Sequence, residues 1–164
     1  MAKLLVTGMS GTGKSSALAV LASHGHRTVD ADSDTWSVWA PDADGGNDWV
    51  WQEDAMRTLL DEHRDGHLFV AGCAANQRTF YPRFDHVVLL SAPGEVLLNR
   101  VALRTTNPYG KSPEEQALML RYLRDVEPLL RKTCTIEIDA TAPLAEIVQR
   151  LEEIAEGRVP NPNG

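Results

Sequence analysis

The sequence predicts a three-layer α/β fold in which a five-stranded parallel sheet is covered by helices on both faces. Three observations carry this expectation. Short apolar runs alternate with segments of helical periodicity along the chain. One run, DHVVLLSAP at 85–93, is apolar at consecutive positions, as a central strand buried on both faces must be. Hydrophobic residues make up 43% of the 164 residues, enough for the core of one domain of ordinary size.

The elements follow in order. KLLVTG is an apolar run stopped by Gly8, the pattern of a buried first strand. Residues 14–24 read as a helix with Leu18 and Leu21 inward, and RTVDAD at 27–32 as a second strand ending in acids. The APDADGGND stretch at 40–48 reads as a mobile loop, and residues from about 50 to 65 as a helix with Ala55, Leu59 and Leu60 on one side. HLFVAGC at 67–73 and DHVVLLSAP are the third and fourth strands, and GEVLLNRVALR at 94–104 is helical. TTNPYGKS at 105–112 is a loop by its Asn-Pro and Gly. Ser112, Pro113 and Glu115 form a capping box that starts a helix running to about 131, which Pro128 kinks or shortens. CTIEID at 134–139 is the fifth strand. Leu144, Ile147, Val148, Leu151 and Ile154 recur at helical spacing up to Gly157. The organisation expected is one domain over 1–157 with a flexible tail at 158–164.

Composition narrows the function. A formal net charge of −7 argues against a sequence-independent grip on nucleic acid, which needs a basic surface. Cys73 and Cys134 stand far apart in no metal-like spacing, a reduced, intracellular pattern. No apolar run approaches a membrane span, and MAKLLVTG is too short for a signal peptide core. A cytoplasmic protein without a membrane or nucleic-acid partner is expected.

The chemistry begins at GMSGTGKSS. Gly8, Gly13, Lys14 and Ser15 fit G-x-x-x-x-G-K-[ST], with a strand before and a helix after. Such a loop turns its backbone N–H groups inward around phosphate oxygens, and the helix start adds positive potential. The expected nucleotide-binding set is Gly8, Ser10, Gly11, Thr12, Gly13, Lys14, Ser15 and Ser16, with Lys14 on the outer phosphates and Ser15 on Mg²⁺. Asp30, Asp32 and Asp34 follow the second strand, and strand ends of a parallel sheet share one edge. Asp30 is therefore expected to hold Mg²⁺ through water, and Asp32 to orient or deprotonate a hydroxyl. No acid ends the third strand, so the metal role falls to Asp30 and Asp32. Asp42, Asp44, Asp48 and Glu53 imitate a calcium loop, but Gly46 and Asn47 stand in exchanged positions and the pattern fails.

Arg100 and Arg104 sit one helical turn apart and lead into TTNPYGK, which suits a lid over about 104–113 that closes on a triphosphate. Lys111, Arg121 and Arg124 lie beyond that flap. On the acceptor side, Gly72 allows close approach at a strand end, and Asn76, Gln77 and Arg78 offer polar contacts. Trp36, Trp39, Trp49 and Trp51 crowd into a segment at about 33–60 that could cap a substrate, with Trp36 the expected contact.

These stretches resemble the compact P-loop kinases of small molecules, the group of shikimate, gluconate and nucleoside monophosphate kinases. GMSGTGKSS is similar to their phosphate loop, and DADS resembles the D-x-D after strand two of shikimate kinases. RVALRTTNPYG resembles a lid entry, while RYLRDVEPLLRK and IDATAPLAEIVQRL are similar to the closing elements of adenylate kinases. The resemblance covers residues 1 to about 155 and implies a P-loop NTPase fold with strand order 2-3-1-4-5, ATP and Mg²⁺. AGCAAN carries one Gly where shikimate kinases have a triplet, so the acceptor does not follow from it. The activity expected is transfer of the γ-phosphate of ATP to a small-molecule hydroxyl, with Lys14, Asp32, Arg104 and Arg100 catalytic. Two alternatives are a nucleoside or nucleotide kinase, with Arg78 on an acceptor phosphate, and an ATP-binding regulatory module without an acceptor.

Overall fold

A computed structural model describes residues 1–105 and 108–158. Thr106 and Asn107 of the expected lid, and residues 159–164 of the expected tail, lie outside the described residues.

The chain runs β1 (Lys3–Thr7), α1 (Lys14–Ser23), β2 (Arg27–Asp30), β3 (Ser37–Pro41), β4 (Asn47–Trp51), α2 (Glu53–Glu62), β5 (Leu68–Ala71), a 3₁₀ helix (Gln77–Arg83), β6 (His86–Ser91), α3 (Gly94–Leu103), α4 (Pro113–Asp125), α5 (Glu127–Thr133), β7 (Ile136–Asp139) and α6 (Leu144–Ala155). The main sheet is ordered β2-β5-β1-β6-β7, and all its pairings are parallel. With the β3–β4 hairpin set aside, this is the expected order 2-3-1-4-5.

Strand alternation sorts the core into two layers. Leu4 and Val6 of β1 and Phe69 of β5 pack with Leu18, Leu21, Ile147 and Leu151 from α1 and α6. Leu5 and Val70 face the other way, onto Met56 and Leu60 of α2 with Trp51, Phe80 and Phe84. Both faces of the central strands are thus covered, which is why those strands read as continuous apolar runs.

Local chemistry sets the helix ends. The Ser112 hydroxyl accepts from the Glu115 N–H at 3.1 Å, so Ser112 caps the helix as expected and Pro113 occupies the first turn. Glu115 Oε1, however, returns to the Ser112 hydroxyl at 3.2 Å and not to its backbone N–H. The expected long helix breaks at Val126. Pro128 has no N–H for an intrahelical bond and fits the first turn of a new helix, so α4 and α5 are separate.

The segment at 40–48 is a correction. It is the turn of a β-hairpin in which Trp39 pairs with Trp49 and Pro41 with Asn47. Asp42 Oδ1 accepts from the N–H groups of Asp44 at 2.9 Å and Gly46 at 2.8 Å, closing the turn on its own backbone. The helix expected from about 50 starts instead at Glu53, because 47–51 is strand. No helix among the described residues is long and apolar enough to cross a membrane.

Candidate active site

Register brings the site together. Asp30 of β2 pairs with Ala71 of β5, and Ala71 pairs with Val6 of β1. Two residues beyond these partners stand Asp32, Cys73 and Gly8, so the three meet at one edge of the sheet. The Ala31 N–H donates to the Ala71 carbonyl at 2.8 Å, and the Gly72 N–H to the Val6 carbonyl at 3.1 Å, holding that edge past the last strand residues.

The phosphate loop turns over this edge. Gly13 is the N-cap of α1 in the left-handed region, with φ 93°, and no side chain caps the helix. The first-turn N–H groups of α1 therefore face outward without an intrahelical partner, next to a helix start with no acid in its first turn. Such a terminus attracts anions. Gly11 has φ 88°, and a Cβ there would lie 2.9 Å from the Leu97 carbonyl oxygen, so the loop packs against α3 as only glycine permits. The buried Thr12 hydroxyl donates to the Met9 carbonyl at 2.9 Å. Lys14 Nζ donates to the carbonyls of Gly8 at 2.6 Å and Met9 at 3.1 Å, folded back over the loop it would share with a phosphate.

Residues 10–16 line a cavity of about 520 Å³ together with Asp30, Asp32, Arg100 and Arg104. Both Asp32 oxygens accept from the Cys73 N–H, at 3.0 and 3.1 Å. Burial pushes the Asp32 carboxyl up from the ordinary carboxylate value; the Lys14 charge and the Cys73 N–H oppose this, and the Asp30 charge adds to it. The Trp51 indole N–H is buried without a hydrogen bond of good geometry, yet it lies close by and favours the charged carboxylate. Asp30 Oδ1 accepts from the Asp32 N–H at 3.1 Å, fixing the turn that presents Asp32. Burial also raises the pKa of the Cys73 thiol, so Cys73 is held as a neutral thiol.

Gly72 differs from its expected role. A Cβ at this position would lie 2.9 Å from Asp32 Oδ1 and 3.1 Å from the Trp51 ring. The close approach it permits is that of Asp32 and Trp51, and Gly72 lines neither cavity of the site. Gly72→Ala is expected to lower stability by about 1–3 kcal/mol through overpacking, read as a lower denaturation midpoint, and to displace the Asp32 carboxylate.

Arg100 bridges two elements. Nη2 donates to the Ala140 carbonyl at 2.7 Å, after β7, and Nη1 to the Gly11 carbonyl at 3.3 Å. Arg104 is the C-cap of α3 in extended conformation, and its Nη2 donates to the Tyr109 carbonyl at 2.8 Å. Partial burial lowers the Arg104 pKa, opposed by Tyr109 and Glu115. Arg104, on the wall of the cavity of about 520 Å³, is thus tied to Tyr109, which lines a second cavity.

A second cavity of about 640 Å³ opens on the other side of Lys14 and Asp32. Its walls differ from the sequence expectation. Trp36 packs against the α2 core layer and Trp51 is 1% exposed within it. Trp39 and Trp49 form the wall instead, ring centroids 5.0 Å apart, with Trp39 68% exposed. Asn76 is consumed by structure: its Oδ1 accepts from the Trp51 N–H and its Nδ2 donates to the Trp51 carbonyl, both at 2.9 Å. It locks the hairpin to the loop after β5, because a β4 end left unpaired would strand buried polar groups. Arg78 is exposed on the 3₁₀ helix and does not line the cavity. Gln77 is buried, donating to Thr7 Oγ1 at 3.1 Å and to the Tyr81 hydroxyl at 2.9 Å. Arg121 and Arg124 are exposed, Arg124 pairing with Asp125, while Leu118, Met119, Tyr122 and Leu123 of α4 face the cavity.

Residues 4–121, well over half of the chain, match the AAA domain family. The chain belongs to the AAA domain family. Its fold is that of the P-loop small-molecule kinases. The shikimate kinase of Acinetobacter baumannii, solved in complex with shikimate, superposes with TM-score 0.66 at 20% identity, covering 98% of this chain and 96% of that one. A gluconokinase from Sinorhizobium meliloti 1021 gives TM-score 0.62 at 22% identity, covering 95% and 94%. The shikimate kinase of Aquifex aeolicus gives 0.60 at 15%, covering 94% and 96%. Comparison with curated proteins finds none that matches. In this AAA domain the residues named above line two cavities that meet at Lys14 and Asp32.

Proposed function

We propose that this protein transfers the γ-phosphoryl group of ATP to a hydroxyl of a small molecule. The observation that carries the reading is the position of Asp32. It lines both cavities, beside Lys14 and the phosphate loop on one side and facing the second cavity on the other. A hydrolase needs no second cavity, and a nucleotide-holding module needs no carboxylate between the two.

The loop N–H groups and the first turn of α1 bind the phosphates, and Lys14 leaves the Gly8 and Met9 carbonyls to meet their outer oxygens. Arg100 and Arg104 face the same space and offset the charge that develops on the transferred group. Asp32 accepts a hydrogen bond from the acceptor hydroxyl and orients its lone pair toward phosphorus. The new oxygen–phosphorus bond forms as the bond to the β–γ bridging oxygen breaks, and the hydroxyl proton passes to Asp32.

Mg²⁺ suits the donor set. Among the described residues no group of three or more His, Cys, Asp or Glu gathers to hold a metal. Mg²⁺ characteristically takes one or two protein oxygens together with substrate phosphates and waters. Ser15 and Asp30, on the wall of the donor cavity, would supply those oxygens. The ion would supply positive charge to offset that of the phosphates.

With ATP and Mg²⁺, a coupled assay over alcohols, sugars, hydroxy acids, nucleosides and nucleotides is expected to show ADP release that depends on the acceptor. Acceptor-independent release across the whole panel would replace transfer by hydrolysis. Binding of ATP without any release would favour a regulatory module.

A further inference from the structure

Resting on the phosphotransfer reading, we infer that the acceptor is an uncharged alcohol carrying a flat apolar ring, and that carboxylates and phosphates are excluded. The cavity beside Asp32 carries the argument. The chain has sixteen Lys and Arg residues, all among the described residues. Of these, Lys14 alone lines this cavity, and Lys14 also lines the donor cavity with the phosphate loop. An acceptor carboxylate or phosphate would enter without a cation to pair with. Taking an anion out of water without a partner costs several kcal/mol or more.

The charges that are present act in the same direction. Asp32 stands on the wall, and Asp48 lies at the exposed mouth on β4. Both repel an anion. Much of the rest of the wall is apolar: Leu118, Met119 and Leu123 from α4, with Leu97 from α3. Trp39 and Trp49 close the hairpin side as a tilted pair, with much of the Trp39 ring left exposed. Such a wall suits the face of a ring. The volume of about 640 Å³ falls in the range of small-molecule sites. Shikimate and gluconate are both carboxylates, so this site differs in kind from one built for either of them.

The test uses a matched pair, 3-phenylpropane-1,2-diol and 3-phenyllactate, which differ by a hydroxymethyl group in place of a carboxylate. Binding is followed by tryptophan fluorescence of the full chain with Mg²⁺ and a non-hydrolysable ATP analogue, and turnover by ADP release. The diol is expected to bind about tenfold tighter or better, a difference typical of an unpaired polar group in a pocket. Leu118→Arg, which places a cation on the cavity wall, is expected to remove or invert that preference. Equal or tighter binding of 3-phenyllactate to the wild type overturns the inference, and so does failure of both compounds to bind. Preferential diol binding without turnover of either compound would count against phosphotransfer while leaving the selectivity intact.

Discussion

Asp32→Asn is expected to lower turnover about 10²–10⁴-fold, the usual worth of a general base, and at the same time to raise thermal stability at neutral pH. The two effects share one cause. Burial holds the Asp32 carboxyl above its ordinary pKa, so its charged form is disfavoured by the fold. The sign follows from linkage. A carboxyl raised in the folded state stabilises below its unfolded pKa of about 4, and that stability is lost as pH rises through the folded value. Above its folded value the wild type carries a desolvated charge, and Asn carries none while its Oδ1 can still accept from the Cys73 N–H. The melting temperature of the variant should exceed that of the wild type at pH 7, and the gap should close in acid. The acid limb of the wild-type rate profile should likewise lie above the ordinary carboxylate range. A variant that turned over normally, or melted lower at pH 7, would remove Asp32 from this role.

Lys14→Ala is expected to lower turnover about 10²–10³-fold, as for loss of one preorganised charge on a reacting group. The folded protein should survive the change. Among the described residues Lys14 hydrogen-bonds only to the carbonyls of Gly8 and Met9, and both can turn to water when the side chain is gone. Circular dichroism should match the wild type while ATP binding weakens. Lys14→Arg should rescue poorly, because a planar guanidinium does not replace a compact ammonium at a point contact. Retention of transfer in the Ala variant would mean that the loop N–H groups suffice.

The cavity beside the phosphate loop was legible because its determinants are local. Gly8, Gly13, Lys14 and Ser15 stand in fixed register, and a parallel sheet can place the following acids only at that edge. Residues 10–16, Asp30, Asp32, Arg100 and Arg104 do share one cavity. The acceptor half was less legible because its determinants are long-range. SVWAP and NDWVW alternate about a DADGG turn, a hairpin signal that the Gly pair disguised as a loop. Trp49 and Trp51 lie on one face of β4, but one meets the core and the other the cavity, which strand periodicity cannot separate. Asn76 and Arg78 looked like ligand contacts because they are polar and follow β5. One is spent on the Trp51 backbone and the other points to water. The α4 stripe of Leu118, Met119, Tyr122 and Leu123 was present at helical spacing, and its meaning came only with the cavity it faces.

The central claim is that Asp32 stands between a phosphate donor and a hydroxyl acceptor. Phosphorus NMR of the full chain with ATP, Mg²⁺ and a neutral alcohol tests it most directly. A phosphomonoester resonance should grow in step with ADP, and should be absent from Asp32→Asn and Lys14→Ala. Inorganic phosphate in its place, or a phosphomonoester formed equally by Asp32→Asn, would contradict the account.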